Sequence, residues 1–221
     1  LRRQRQMCIR DSRKGLDIQK FNCLTVGCNA IIRETRVHNV VCCDKRMVLE
    51  ASRKMINNKT AIWTRHDWMS QFPKMHNLNA IPSLWYEGGL KQDNHFHWGS
   101  GPYAVYVGCK LPGRSNEVIH MIGFDLYPTE DGKINNIYKG TFNYEEEDSN
   151  GVNPSFWIYQ IGKVMERFED REFRVYNHAD WKMPQNWKAL DNVHFCPLGD
   201  NPKQIESLSL IHISEPTRQK P

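Results

Sequence analysis

The sequence predicts an α/β protein on a mostly parallel sheet with helices on both faces, a Rossmann-like arrangement. Three observations carry this. Short apolar runs without polar alternation recur along the chain, which is how strands buried on both faces read. Between some of them stand segments whose apolar residues fall at helical spacing. The two kinds alternate, the order that a parallel sheet with covered faces requires.

Taken in order, Phe21 to Cys28 (FNCLTVGC) reads as a buried strand and His38 to Asp44 (HNVVCCD) as a second, ending in an acid. Lys45 to Ile56 puts Met47, Val48, Ala51, Met55 and Ile56 on one helical face. Thr60 to Thr64 (TAIWT) is a short third strand. Residues 65–99, rich in Asn, Gly, Pro, His and Trp, read as a long ordered excursion. Pro102 to Cys109 is a helix with Pro in its first turn and Ser100 near its cap. Glu117 to Leu126 (EVIHMIGFDL) is the clearest strand. Pro154 to Phe168 is the clearest later helix, with Asn153 at the cap and Pro154 first inside it. Phe173 to Asn177 closes the sheet, and Val193 to Phe195 adds a small last strand.

The two ends stand apart. MCIRDS (7–12) and LSLIHISEPTR (208–218) look like conceptual translations of the transposase mosaic end used in DNA library preparation. Residues 1–12 and 208–221 are therefore expected to be adapter-derived, and 13–207 a single domain cut from a longer, metagenomic gene whose first strand and turn are missing. The other reading of LRRQRQ is a natural basic arm. The whole chain carries 30 Lys+Arg against 25 Asp+Glu; without the ends the balance is 24 against 23, net +1. That charge gives no argument for nucleic-acid or membrane partners, and no apolar run approaches the ~20 residues of a membrane helix. Cys23, Cys28, Cys42, Cys43, Cys109 and Cys196 form no CxxC pair, and several sit in apolar runs. A reducing, cytoplasmic compartment is expected.

Ligands of parallel sheets bind beyond the carboxyl ends of strands, which directs attention to Asn29, Asp44, Asp125 and Tyr127. Gly27-Cys28-Asn29 is either a strand-ending turn or a turn whose amide side chain both donates to and accepts from a ligand. His97 to Pro102 (HWGSGP) places two glycines around Ser100 ahead of a helix, either as an ordinary cap or as an anion site. Asp125 and Tyr127 fall on one side of a strand by alternation, within reach of sugar hydroxyls. His95 and His97 lack a third metal ligand at sensible spacing, and either can move a proton near neutral pH. The run Glu145 to Asp148 reads as a solvated loop. The P-loop, G-x-G-x-x-G and G-x-S-x-G motifs are absent, as is an Asp-x-Asp pair for a metal-held diphosphate.

In order, KGLDIQKFNCLTVGCNAI (14–31), HWGSGPYAVYVGC (97–109) with NEVIHMIGFDLY (116–127), and FRVYN (173–177) resemble the bacterial sialyltransferase-like proteins and their Rossmann-type relatives of unassigned activity. Those proteins have a strand and a Gly-Asn-Gly-Pro-Ser-like turn, a Ser-Gly pair opening a helix, and a strand ending in Gly-Phe/Ile-Asp-x-Tyr. The matching positions are Asn29, Ser100-Gly101 and Gly123 to Tyr127. The resemblance implies glycosyl transfer from a cytidine-nucleotide sugar to a glycan-type acceptor, without a metal or other cofactor. Asn29, Asp44, Ser100, Gly101, Asp125 and Tyr127 would line the donor site, and the 65–99 excursion, with Trp85, Tyr86 and Trp98, the acceptor side. Two departures stand out. The glycine-rich turn is missing, and 128–168 holds no histidine to serve as general base. His97, Tyr138, Tyr144 and Glu145 to Glu147 are the substitutes. The alternatives are a non-catalytic nucleotide- or sugar-binding protein on the same scaffold, and another nucleotide-linked transferase such as a methyltransferase.

Overall fold

Seven strands fall into two all-parallel sets. β1 (Leu24–Cys28), β2 (Asn39–Val41), β3 (Ala61–Thr64) and β4 (Leu78–Ala80) lie in the order β4-β3-β2-β1. β5 (Val118–Ile122), β6 (Glu172–Asn177) and β7 (Val193–Pro197) follow as β5-β6-β7. The backbone of β8 (Leu210–Ile213) pairs in parallel with β1 on one side and β5 on the other, making one eight-stranded sheet. The computed structural model describes residues 23–54, 60–111, 118–136 and 138–198, and the backbone of 210–213. The basic arm and MCIRDS, residues 208–209 and 214–221, and the predicted element ends Phe21–Asn22, Met55–Ile56 and Glu117 lie outside the described residues.

The expected α/β class with a parallel sheet is what the chain forms. The strands run outward from β1 to one edge, and the chain then returns to β5 and runs outward to the other. Helices α1 (Lys45–Lys54), α2 (Ser100–Lys110), α3 (Ser155–Arg167) and the short α4 (Gln185–Lys188) make the connections. Alternation divides the core between the two sheet faces. Val40, Ile62 and Ile122 join Met47, Val48 and Ala51 of α1 in one cluster. Val26, Val41, Ile119 and Met121 join α2, Ile161 of α3 and Trp187 of α4 in the other. Every residue of α2 from Ser100 to Cys109 is buried, as its nearly all-apolar sequence demands.

The structure corrects several boundaries. β4 arises inside the 65–99 excursion, which is otherwise short 3₁₀ turns. β8 comes from residues that the sequence reading set aside. It fills the place between β1 and β5, each of which would otherwise present an open ladder there. The strand predicted to reach Leu126 stops at Ile122, because Gly123 (φ 81°) and Leu126 (φ 57°) leave the extended region. Strand alternation therefore does not relate Asp125 to Tyr127. α2 begins at Ser100 with Gly99 as its N-cap, and α3 begins at Ser155 with Pro154 as its N-cap. Asn153 still contributes there, its Oδ1 accepting from Ser155 N–H at 2.9 Å.

Gly27 was expected to allow a tight turn; it lies within β1, and the left-handed residue is Asn29 (φ 50°). Gly27 serves close approach instead, since a Cβ there would stand 2.6 Å from Ile31 Cγ2. Gly27→Ala is expected to cost about 1–3 kcal/mol by overpacking, read as a lower urea midpoint at unchanged m-value.

His120 on β5 is 1% exposed, and its Nδ1 lies 2.8 Å from the hydroxyl of Tyr176 on β6. Burial, with Arg174 nearby, pulls its imidazole down to about 4.

Candidate functional site

At the carboxyl end of β1 the chain passes through Asn29, 2% exposed, into a 3₁₀ turn, Asn29–Arg33. Asn tolerates the left-handed region better than most residues, but such strain persists only where surrounding contacts impose it. Here the contacts come from behind. Ala30 N–H donates to Tyr144 Oη at 3.3 Å. Arg33 Nη2 donates to Glu50 Oε2 at 2.8 Å, and its guanidinium lies 5.6 and 5.4 Å from the ring centroids of Tyr138 and Tyr144. Their shared hydrogen bond raises the guanidinium pKa of Arg33 and lowers the carboxyl pKa of Glu50. Tyr138 and Tyr144, two of the catalytic substitutes, are thus buried braces behind the turn, at 5% and 2% exposure.

β2 ends beside β1, and Asp44 follows it. Its Oδ1 accepts from Arg46 N–H at 2.7 Å, the N-cap geometry for α1, and its carboxylate pairs with Arg46 at 3.3 Å. Cys43 N–H donates to Ser100 Oγ at 2.9 Å, tying the end of β2 to the start of α2. Ser100, expected as the cap, makes this link instead. Burial pushes the Cys43 thiol up to about 12, so it stays protonated and is a poor nucleophile.

The start of α3 lies against the start of α2: a Cβ added at Gly99 would meet Trp157 Nε1 at 3.1 Å. The first amides of each helix have no acceptor within the helix, and both helix ends carry partial positive charge. Between these two starts, the ends of β1 and β2, and the segment 150–153 lies a cavity of about 830 Å³. Asn29, Asp44, His97, Trp98 and Ser100 border it, so the structure gathers five of the sequence-predicted residues there. Gly101 is buried in the first turn of α2. The cavity stands beyond the carboxyl ends of β1 and β2, the edge of such sheets at which ligands bind.

A second cavity, of about 420 Å³, lies on the other side of the 3₁₀ turn His95–His97. His95 borders this one, whereas Phe96 and His97 border the larger. Its wall includes Arg65, Tyr86 and Asp93. Asp93 is 6% exposed and accepts from Leu90 N–H at 2.9 Å and from the Tyr159 hydroxyl at 2.8 Å. Burial alone would raise its carboxyl, but these hydrogen bonds outweigh burial and hold it below the usual carboxylate range.

Asp125 and Tyr127 border neither cavity. Asp125 Oδ1 lies 3.4 Å from Asn177 Nδ2, and the Tyr127 hydroxyl donates to Lys182 O at 2.8 Å. Of the aromatics expected on the acceptor side, Tyr86 lines the smaller cavity. Trp98, 3% exposed, packs edge-on against Trp85 with ring centroids 6.3 Å apart and borders the larger cavity, not the smaller. Trp157 and the segment 150–153 are site elements that the sequence reading missed. The helix-start signal at Asn153-Pro154 was visible, but its nearness to Gly99 is purely tertiary. Among the described residues no three His, Cys, Asp or Glu side chains gather to hold a metal ion, and no helix is long and apolar enough to cross a membrane.

Fold and site together define an α/β protein with a parallel sheet and a polar cavity at the carboxyl edge of its central strands. No family model matches the chain, and no curated protein or solved structure matches it.

Proposed function

We propose that the chain binds a nucleotide sugar, of the cytidine-linked kind, in the larger cavity and acts as a metal-independent glycosyltransferase. The observation that carries this is the convergence of two helix starts with Asn29, Asp44, Ser100 and His97 on one cavity beyond the carboxyl ends of β1 and β2. Helix starts stabilise a phosphate through free amides and the dipole, a role that a bound cation fills in other transferases. Asn29 would hydrogen-bond the ligand, and Ser100 Oγ, already accepting from Cys43, keeps its own hydrogen to donate. The glycan-type acceptor would enter from the side of the smaller cavity. In the transfer, the bond from the anomeric carbon to the phosphate oxygen breaks and the nucleotide leaves with the electron pair. The acceptor oxygen takes its place and gives up a proton, for which His97 is the candidate base.

A thermal-shift panel of CMP, CDP, UDP, GDP and S-adenosylmethionine tests the reading. At 100-fold excess over Kd, CMP should stabilise by about 2.7 kcal/mol, or roughly 5–10 °C in a domain of this size. No shift with either cytidine nucleotide would count decisively against it, and a shift with S-adenosylmethionine alone would select the methyltransferase alternative.

One observation favours the non-catalytic alternative. His97 is exposed, no hydrogen bond orients its ring among the described residues, and Tyr138 and Tyr144 do not border the cavity. Nucleotide-sugar binding without turnover across a panel of acceptors would select that alternative.

A further inference from the structure

We propose that Phe96 is the platform on which the planar base of the bound nucleotide stacks. The inference rests on the nucleotide reading of the larger cavity and assigns one end of that cavity to the base. Phe96 is 47% exposed, an unfavourable setting for a large apolar ring, and it borders the larger cavity. Its position is fixed from behind. The Arg65 guanidinium lies 4.5 Å from its ring centroid and 4.5 Å from that of Trp68, so one cation contacts both rings. Asp67 chelates the same guanidinium, accepting from Arg65 Nε at 3.0 Å and from Nη2 at 2.7 Å. The His95 ring stands 3.8 Å from Phe96, centroid to centroid.

Arg65 and His95 border the smaller cavity, whereas Phe96 borders the larger. Arg65 and His95 thus hold the ring from the smaller-cavity side, and its exposed part borders the larger cavity, where a nucleobase would lie against it. Base–aromatic stacking is worth about 1–3 kcal/mol per base and tolerates any base. Phe96 also stands three residues before Gly99, and three residues of chain reach at most about 10 Å. A single nucleotide spans that scale from base to phosphate, so its phosphate falls at the start of α2 when its base lies on Phe96.

Calorimetric titration of the full chain with CMP, AMP, ribose 5-phosphate and inorganic phosphate tests the assignment, using the native protein, Phe96→Ala and Phe96→Trp. Circular dichroism melts confirm that the variants fold. Phe96→Ala should weaken CMP and AMP alike by about 5- to 150-fold, leave ribose 5-phosphate and phosphate within twofold, and be rescued by Phe96→Trp. CMP binding within twofold of native in Phe96→Ala overturns the platform, as does an equal loss for ribose 5-phosphate, which would place the effect at the phosphate end. Failure of the underlying reading is separate and shows in the native protein: if it binds ribose 5-phosphate or phosphate but neither nucleotide, or binds none of the four, the nucleotide assignment falls and the platform with it.

Discussion

Replacing Asn29 by glycine should leave the melting temperature close to native while CMP binding weakens by about 5- to 150-fold. The backbone at Asn29 is left-handed (φ 50°), a region that glycine occupies without a Cβ penalty. Relief of up to about 1 kcal/mol there offsets the loss of the side chain's own buried contacts. The ligand gains nothing from that relief. It loses the one amide side chain at the carboxyl end of β1, and a missing hydrogen bond in a buried site costs about 1–3 kcal/mol. Asn29→Asp sharpens the test, because it keeps the shape but sets a negative charge beside the phosphate; its loss should exceed that of glycine. Thermal melts and calorimetry on the three proteins report both quantities. Unchanged CMP affinity in Asn29→Gly would remove Asn29 from the binding site and leave it a turn residue.

The second large effect is acid destabilisation through His120. Burial first, and Arg174 second, lower this imidazole from 6.5 to about 4 in the folded protein, with Glu172 opposing and the Tyr176 hydroxyl hydrogen-bonded to it. The unfolded chain therefore takes up a proton that the folded chain refuses. The corresponding stability is complete above pH 6.5 and drains away as pH falls toward about 4. The full amount is about 3 kcal/mol. Urea midpoints between pH 7.5 and 4 should trace this limb in the native protein. His120→Gln, which keeps a polar partner for Tyr176, should flatten it. The carboxylates of Glu50 and Glu172 are both held low by arginine partners; Glu50 acts in both proteins alike, whereas Glu172, lowered chiefly by Arg174 and least by His120, changes slightly in the variant. Parallel native and variant profiles would show that His120 takes up no proton on unfolding.

The architecture was legible where apolar pattern and backbone agree. β1, β2 and β5 sit in near-continuous apolar runs, β6 shows Phe173, Val175 and Tyr176 among polar neighbours, and α3 carries its start signal in Asn153-Pro154. The reading went astray where pattern and backbone part company. Phe124 and Leu126 are 0% and 5% exposed, so the run looks like strand to its end, yet the backbone turns away at Gly123. Asp125 and Tyr127 were placed by an alternation that had already stopped. β4 was invisible because three residues with a central asparagine carry too little pattern. Within the candidate site, Asn29, Asp44 and Ser100 were legible because strand ends and helix starts announce themselves locally. Trp157 was not, since its meeting with Gly99 depends on how α2 and α3 pack. The bracing role of Tyr138 and Tyr144 was hidden for the same reason, being set by Arg33 more than a hundred positions earlier in the chain.

The complete burial of α2 has a consequence for how occupancy is sensed. Amides in a helix covered on every side exchange with solvent only when the whole domain opens. The proposed ligand touches that helix at its first turn. Any free energy it contributes on binding therefore appears in the slowest hydrogen-exchange class, spread along Ser100 to Cys109 and into the neighbouring β1 and β2. A loop-bound ligand would instead slow exchange only in its own loop. Deuterium uptake along one internal helix thus gives a label-free readout of whether the cavity is filled.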